Sequence, residues 1–177
     1  DRFALSARMA AERGLVEIPP CEHLDVMAGQ GTVALELLQE APALDALFVQ
    51  VGGGGLMAGC ATIARALAPA MQLVGVEPEE SDDARRSLAE GRRVSIPMPH
   101  PSADGQAAGA LGEMAYAILA RTVDRIELVA RAEIVQAMAL LFERLKIVAE
   151  PSGAPALAAL VQQAPAWRGR RVGVVIS

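Results

Sequence analysis

The sequence predicts an α/β fold of three layers, a mainly parallel sheet with helices on both faces. Three observations predict it. Short apolar, β-branched runs recur at residues 15–18, 46–51, 72–76, 125–129 and 171–176. Segments with helical spacing separate them. The runs are apolar without alternation, as strands buried on both faces of a parallel sheet are.

Taken in order, the first helical segment stops at Gly14, a C-cap glycine, and leads into the strand 15–18. Residues 32–38 are rich in alanine and leucine and predict a helix. The strand 46–51 passes through four glycines into a helix over 56–67, which Pro69 closes before the strand 72–76. Residues 95–102, SIPMPHPS, predict an irregular surface loop, because each proline removes a donor and restrains its neighbour; the loop is a candidate hinge or flap. After the strand 125–129, Ile134, Met138, Leu141 and Leu145 share one helical face. Pro151 breaks the chain before an alanine-rich helix running toward Gln163, and the strand 171–176 comes last.

With 177 residues, 53% of them hydrophobic, the chain can bury one substantial core, which excludes disorder. A net charge of -5 gives no basic excess for phosphate backbones, so nucleic acid is excluded as a partner. Residues 46–64 carry no charge, but Gln50 and the glycines interrupt the stretch, so it reads as a buried strand and helix and no membrane partner is expected. The start has no basic segment, apolar core and cleavage site, so no signal peptide is read. Cys21 and Cys60 stand without a CxxC pair or histidines at zinc spacing, which disfavours a disulfide framework or structural zinc and points to the cytoplasm. Lys146 is the sole lysine beside many arginines, a bias that reads as genome composition.

The segment carrying most chemistry is Gly52-Gly53-Gly54-Gly55-Leu56, directly after a strand and before a helix. Residues without side chains let the backbone approach an anion, and N–H groups at a helix N-terminus favour phosphate. A tight turn needs fewer glycines. No lysine and hydroxyl residue follow the last glycine, so this is not a Walker A loop, and the dinucleotide pattern GxGxxG fails at Met57. A monophosphate cofactor remains. His23 and His100 sit in proline-flanked loops and read as surface residues; Arg85, Arg86, Arg92 and Arg93 interleave with acids and read as a solvated face.

The segments AGQGTVALELL (28–38), VGGGGLMAG (51–59), VEPEESDDARRSL (76–88), ADG (103–105), ERLKIVAEPSGAPALAAL (143–160) and VGVVIS (172–177) follow one another in this order. Together they resemble the C-terminal portion of a fold-type II pyridoxal-phosphate enzyme, of the serine/threonine dehydratase (threonine deaminase) and serine racemase family. The resemblance implies that residues 1–21 are the end of a small α/β domain, its last helix and strand, and 22–177 an incomplete large domain. It also implies that the N–H groups of Gly52, Gly53, Gly54, Gly55 and Leu56 bind the phosphate of pyridoxal 5'-phosphate. Ser177 would face the pyridine nitrogen, Glu150 would lie near the ring, and Asp104-Gly105 would border the substrate. Glu77, the carbonyl of Ser81, and Asp83 would hold Mg²⁺ or Ca²⁺ through oxygen ligands. The spacing taken alone favours the simpler account, Asp82 and Asp83 as first-turn acids that suit the helix dipole. Cys21 stands where relatives have an asparagine or an aromatic residue, either tuning the cofactor or filling space.

The family's lysine that holds the cofactor as a Schiff base sits in a phenylalanine-lysine motif, and this chain has none; Lys146 is expected at a helix surface or end. The family's serine-serine-glycine-asparagine loop for the substrate carboxylate is also missing, and both ends read as cut. The resemblance therefore implies part of a lyase that removes water and ammonia from serine, threonine or 3-hydroxyaspartate, giving a 2-oxo acid, with the 177-residue chain alone inactive. Alternatives are a serine racemase of the same family, or a non-catalytic cofactor-binding fragment. The full-length protein is expected to be a homo-oligomer, a dimer.

Overall fold

The computed structural model describes residues 2–177, with side chains from Ala4 onward. Asp1, the first residue of the segment read as the end of a small domain, lies outside the described residues. Four strands form one sheet: β1 (Ala46–Gln50), β2 (Gln72–Pro78), β3 (Arg125–Val129) and β4 (Val172–Val174), in the order β3-β2-β1-β4. Every pairing is parallel; Phe48, at the centre, stands opposite Val74 on β2 and Val174 on β4. Parallel neighbours need crossover connections, and helices supply them.

Side chains leave a strand alternately to its two faces, and β1 is buried along its whole length because each face meets helices. Leu47, Val49 and Leu73 pack on one side against α2 (Leu24–Glu40), α3 (Gly55–Leu67) and α5 (Glu113–Thr122). Ala46, Phe48, Val74 and Val76 pack on the other against α6 (Arg131–Leu140) and α7 (Pro155–Gln162). The three-layer expectation holds. Phe48 is fully buried and meets the Trp167 ring edge-on, with centroids 5.6 Å apart. Truncating it to alanine would cost about 3–5 kcal/mol, the range for a large aromatic in a close-packed core. On the first side α2 and α3 approach at Gly31 and Gly59, where a side chain on Gly59 would run into the Met27 carbonyl.

α1 (Arg2–Arg13) ends at Gly14, which takes φ +61. The run 15–18 departs from expectation and forms no strand; Leu15, Val16 and Ile18 are exposed. β-branched composition marks residues that suit a half-buried pleated surface, but a strand exists only when paired, and the four strands above take no partner from this run. The face of α6 also ends earlier than its periodicity suggests. Ile134 and Leu141 are buried, whereas Leu145 is exposed, because Leu141–Leu145 winds as a single π turn that rotates later residues off the face. Residues 95–102 form the irregular segment expected of their prolines. Among the described residues, no helix is long and apolar enough to cross a membrane.

Candidate functional site

The strand order reverses at β1. From β1 the chain moves to β2 and β3 on one side, and returns at its end to place β4 on the other. In an open parallel sheet this reversal splays the connections apart and leaves a crevice beyond the carboxyl ends of the strands. The glycine loop leaves β1 at that point, and Ser177 follows β4 at the same point. Together with Leu56, Glu150, Gly105, Ser152, Cys21, Gln50 and Gln106 they line a cavity of about 190 Å³. Residues spread from position 21 to 177 thus meet because the topology brings two strand ends side by side.

Within the loop, Gly54 takes φ +93, a conformation that side chains resist, and serves as N-cap of α3 without a capping side chain. The N–H groups of the first helical turn have no partners inside the helix, so they stand with the positive end of its dipole behind them. Steric demand also comes from elsewhere. A Cβ on Gly54 would lie 2.8 Å from Ala115 and 2.9 Å from Leu111, on the side of α5. One on Gly53 would lie 2.5 Å from the Cys21 sulfur. The glycines therefore serve packing as well as an open backbone, with Cys21 lying against the loop.

Glu150 is exposed at the cavity rim rather than interior, preceding a 3-10 turn at Pro151–Gly153 without a side-chain capping bond. Gly105 donates its N–H to the Ser152 hydroxyl at 2.9 Å, which ties the ADG segment to that turn. His23 and His100 are exposed, and His23 caps α2 by accepting the Asp25 N–H. Lys146 is exposed just past the π turn, at φ +59, and donates to the Glu143 carbonyl. It does not line the cavity.

Two glutamines in the cavity wall were given no site role by the sequence reading. Gln50 Nε2 donates to the carbonyls of Gly153 and Val175, and Gln106 Nε2 to those of Val51 and Val76. Both residues are 4% exposed, and both side-chain oxygens are buried without a donor. A lone amide inside the apolar run LFVQV was the available signal for Gln50. Gln106 carried none, since its partners, Val51 just past β1 and Val76 in β2, lie far away in sequence.

Glu77, Ser81 and Asp83 gather at a second place, between the end of β2 and the start of α4 (Asp83–Glu90), and each is 1% exposed. The Glu77 oxygens accept the N–H groups of Ala84 and Arg85, both at 3.0 Å. Asp83 has neither carboxylate oxygen paired, and the Ser81 hydroxyl is also unpaired. Burial first, then the neighbouring Asp83 charge, pushes the Glu77 carboxyl up to about 9. Burial likewise pushes Asp83 up to about 7; its own N–H and that of Leu111 bias it toward the ionised form without reaching hydrogen-bond geometry. Asp82 points elsewhere and pairs with Arg86 at 2.8 Å. Asp82 and Asp83 do stand at the start of α4, as the helix-dipole reading expects, but neither side chain caps it; Glu77 is the carboxylate that accepts its N–H groups. No group of three or more His, Cys, Asp or Glu side chains suited to a metal occurs among the described residues, so a cation here would need backbone carbonyls and water beside two carboxylates.

A larger cavity, about 640 Å³, opens at the amino ends of the strands between Asp45, Gln72, Arg125 and Trp167. It has no glycine loop. Its charged groups are engaged internally, Arg125 with Glu127, Gln72 and Gln163, and Arg170 with Asp45, while the Trp167 indole N–H is buried without an acceptor.

The glycine loop opens a helix at the switch point of a parallel sheet and shares one cavity with Ser177, and the chain belongs to the family described as pyridoxal-phosphate dependent enzyme, which matches residues 1–177. It is 44% identical over 177 residues to an L-threo-3-hydroxyaspartate ammonia-lyase of Saccharomyces cerevisiae, covering 100% of this chain and 54% of that protein. It is 40% identical to a serine racemase of Schizosaccharomyces pombe, covering 100% and 55%. The solved serine racemase of maize superposes with a TM-score of 0.92 at 36% identity, over 99% of this chain and 57% of that one. A solved threonine deaminase superposes equally well, with a TM-score of 0.92 at 39% identity, over 98% of this chain and 60% of that one. The chain spans about half the length of the curated relatives it matches.

Proposed function

We propose that this chain is the cofactor-phosphate half of a pyridoxal-phosphate lyase that removes water and ammonia from a hydroxyamino acid, giving a 2-oxo acid. The observation that carries this is the meeting of the glycine loop, Glu150 and Ser177 around one cavity at the carboxyl ends of β1 and β4. The fit is chemical. Gly52 to Leu56 offer backbone N–H groups at a helix start to a phosphate, and Ser177 offers a neutral hydroxyl to a ring nitrogen. Bound there, pyridoxal phosphate supplies an electron sink for charge developed at the substrate's α-carbon. Ser177 does not impose a proton on the ring nitrogen, a setting suited to losing a β-hydroxyl rather than holding a long-lived carbanion. Glu150, at the rim, and Gly105, tied to Ser152, border the space left for substrate. No lysine lines the cavity, so the 177-residue chain by itself does not complete the chemistry. On this reading residues 1–21 close a small domain and 22–177 belong to the large one.

Glu77, the Ser81 carbonyl and Asp83 would hold Mg²⁺ or Ca²⁺. The buried, unpaired Asp83 oxygens support this, since burying a carboxylate without a partner is costly and a divalent cation would remove that cost. The full-length protein acts as a dimer, for which the exposed Phe142, Leu145 and Val148 beyond α6 offer apolar surface. The cysteine pattern, without a disulfide framework, supports a cytoplasmic location.

The alternative activity, serine racemisation, is favoured by the 40% identity to a racemase. Both are tested on the full-length protein by 2-oxo acid release from 3-hydroxyaspartate, serine and threonine, alongside chiral analysis of recovered serine. Elimination faster than inversion upholds the lyase; inversion dominating assigns the racemase; bound cofactor with neither leaves the binding function alone.

A further inference from the structure

Gln50 ends β1 in the wall of the cavity, where the strand gives way to the glycine loop. Its single amide nitrogen donates to two carbonyls from segments more than a hundred residues away: Gly153 at 2.8 Å and Val175 at 2.9 Å. The first belongs to the turn that follows Glu150 and contains Ser152. The second lies two residues before Ser177. A second observation concerns the other end of the amide. Oε1 is buried with no donor, a cost that an apolar side chain of the same length would avoid. The residue is therefore held for its two donors and not for burial. Gly153 is packed so closely on the Ser177 carbonyl that an added side chain would overlap it, so any shift of one segment is felt by the other.

We infer that Gln50 is a positioning residue: by holding the Gly153 and Val175 carbonyls with one amide, it sets where Ser177 and the 150–152 segment stand relative to the glycine loop. The phosphate end of the cavity is built by β1 and α3 and does not depend on this tie; the opposite end does. This rests on the cavity being the cofactor site.

The test uses the full-length protein and Gln50→Met, which keeps length and removes both donors. In the cofactor-free protein, hydrogen exchange at the amides of 152–154 and 175–177 should rise about tenfold or more, with 52–56 unchanged. In the loaded protein, cofactor content should stay within about twofold, the cofactor's absorbance maximum should shift, and kcat should fall about tenfold with KM changed by less than about threefold. Unchanged exchange in both segments overturns the inference, as does a wild-type spectrum with wild-type kcat. Should Gln50→Met fail to fold, Gln50→Asn keeps the amide but is too short to hold both carbonyls. It should show the same pattern in smaller measure, and unchanged exchange there would equally overturn it. A wild-type protein that carries no cofactor removes the functional reading, while the exchange measurement still decides what Gln50 does.

Discussion

Gly53 and Cys21 face each other across the loop, and their contact separates two demands on the same glycine. A methyl group on Gly53 would stand 2.5 Å from the Cys21 sulfur but 3.4 Å from its Cβ, so only the sulfur is in the way. Gly53→Ala should therefore destabilise the cofactor-free full-length protein by about 1–3 kcal/mol, as overpacking does, and Cys21→Ala in the same chain should recover most of it. Urea unfolding of the two single variants and the double checks this; an additive double variant would mean that Cys21 is not the obstacle. At the far end of the sheet, Asp45 accepts the Arg171 N–H at 2.7 Å and pairs with Arg170, and that backbone bond first, then the Arg170 side chain, holds its carboxyl below the usual value of 3.8. A depressed carboxylate stabilises the fold above its unfolded pKa and loses that contribution as pH falls through the folded one. The stability gap between wild type and Asp45→Asn should thus be full near neutrality and shrink below about pH 4. A gap undiminished in strong acid would deny Asp45 that role.

The turn from β2 into α4 is the element where two readings of one sequence, VEPEESDDARR, come apart. Glu77 holds two N–H groups of the helix start, while Asp83 lies buried with both oxygens unpaired. Millimolar Mg²⁺ or Ca²⁺ should raise the melting temperature of the full-length protein, since a ligand that binds only the folded state stabilises it by mass action, and chelation should reverse the gain. Asp83→Ala should abolish the response, whereas Asp82→Ala, whose carboxylate is turned to Arg86, should preserve it. Equal shifts in both variants, indifferent to metal, would leave only a helix end. Helix α6 teaches a similar lesson. Its apolar spacing is legible through Leu141, but no periodicity announces the π turn at Leu141–Leu145 that follows the helix.

For the whole molecule, the expectation is that the full-length protein retains pyridoxal phosphate while the isolated chain releases no 2-oxo acid from serine or threonine. Lys146 is bonded to the Glu143 carbonyl, away from the cavity, so Lys146→Ala should leave turnover of the full-length enzyme within about twofold, as exposed substitutions usually do. Clear turnover by the isolated chain would overturn the reading of it as an incomplete half of the enzyme.

Local chemistry made much of this legible. Four of the five apolar runs are strands within a residue or two of their expected limits, because a strand buried on both faces must be apolar throughout. The glycine loop could be read because close backbone approach, and a φ such as the +93 of Gly54, favour glycine. Ser177 and Glu150 were carried by likeness to a family, not by any feature of their own. What the sequence left undecided is whatever depends on a partner distant along the chain. The run 15–18 has strand composition, but composition cannot supply the neighbour that a ladder requires. Gln50 and Gln106 look alike to many surface amides until the sheet sets carbonyls from other segments within reach of their nitrogens. The order β3-β2-β1-β4, which opens the crevice, was settled by helices covering both faces at once, a property of packing and not of any one segment.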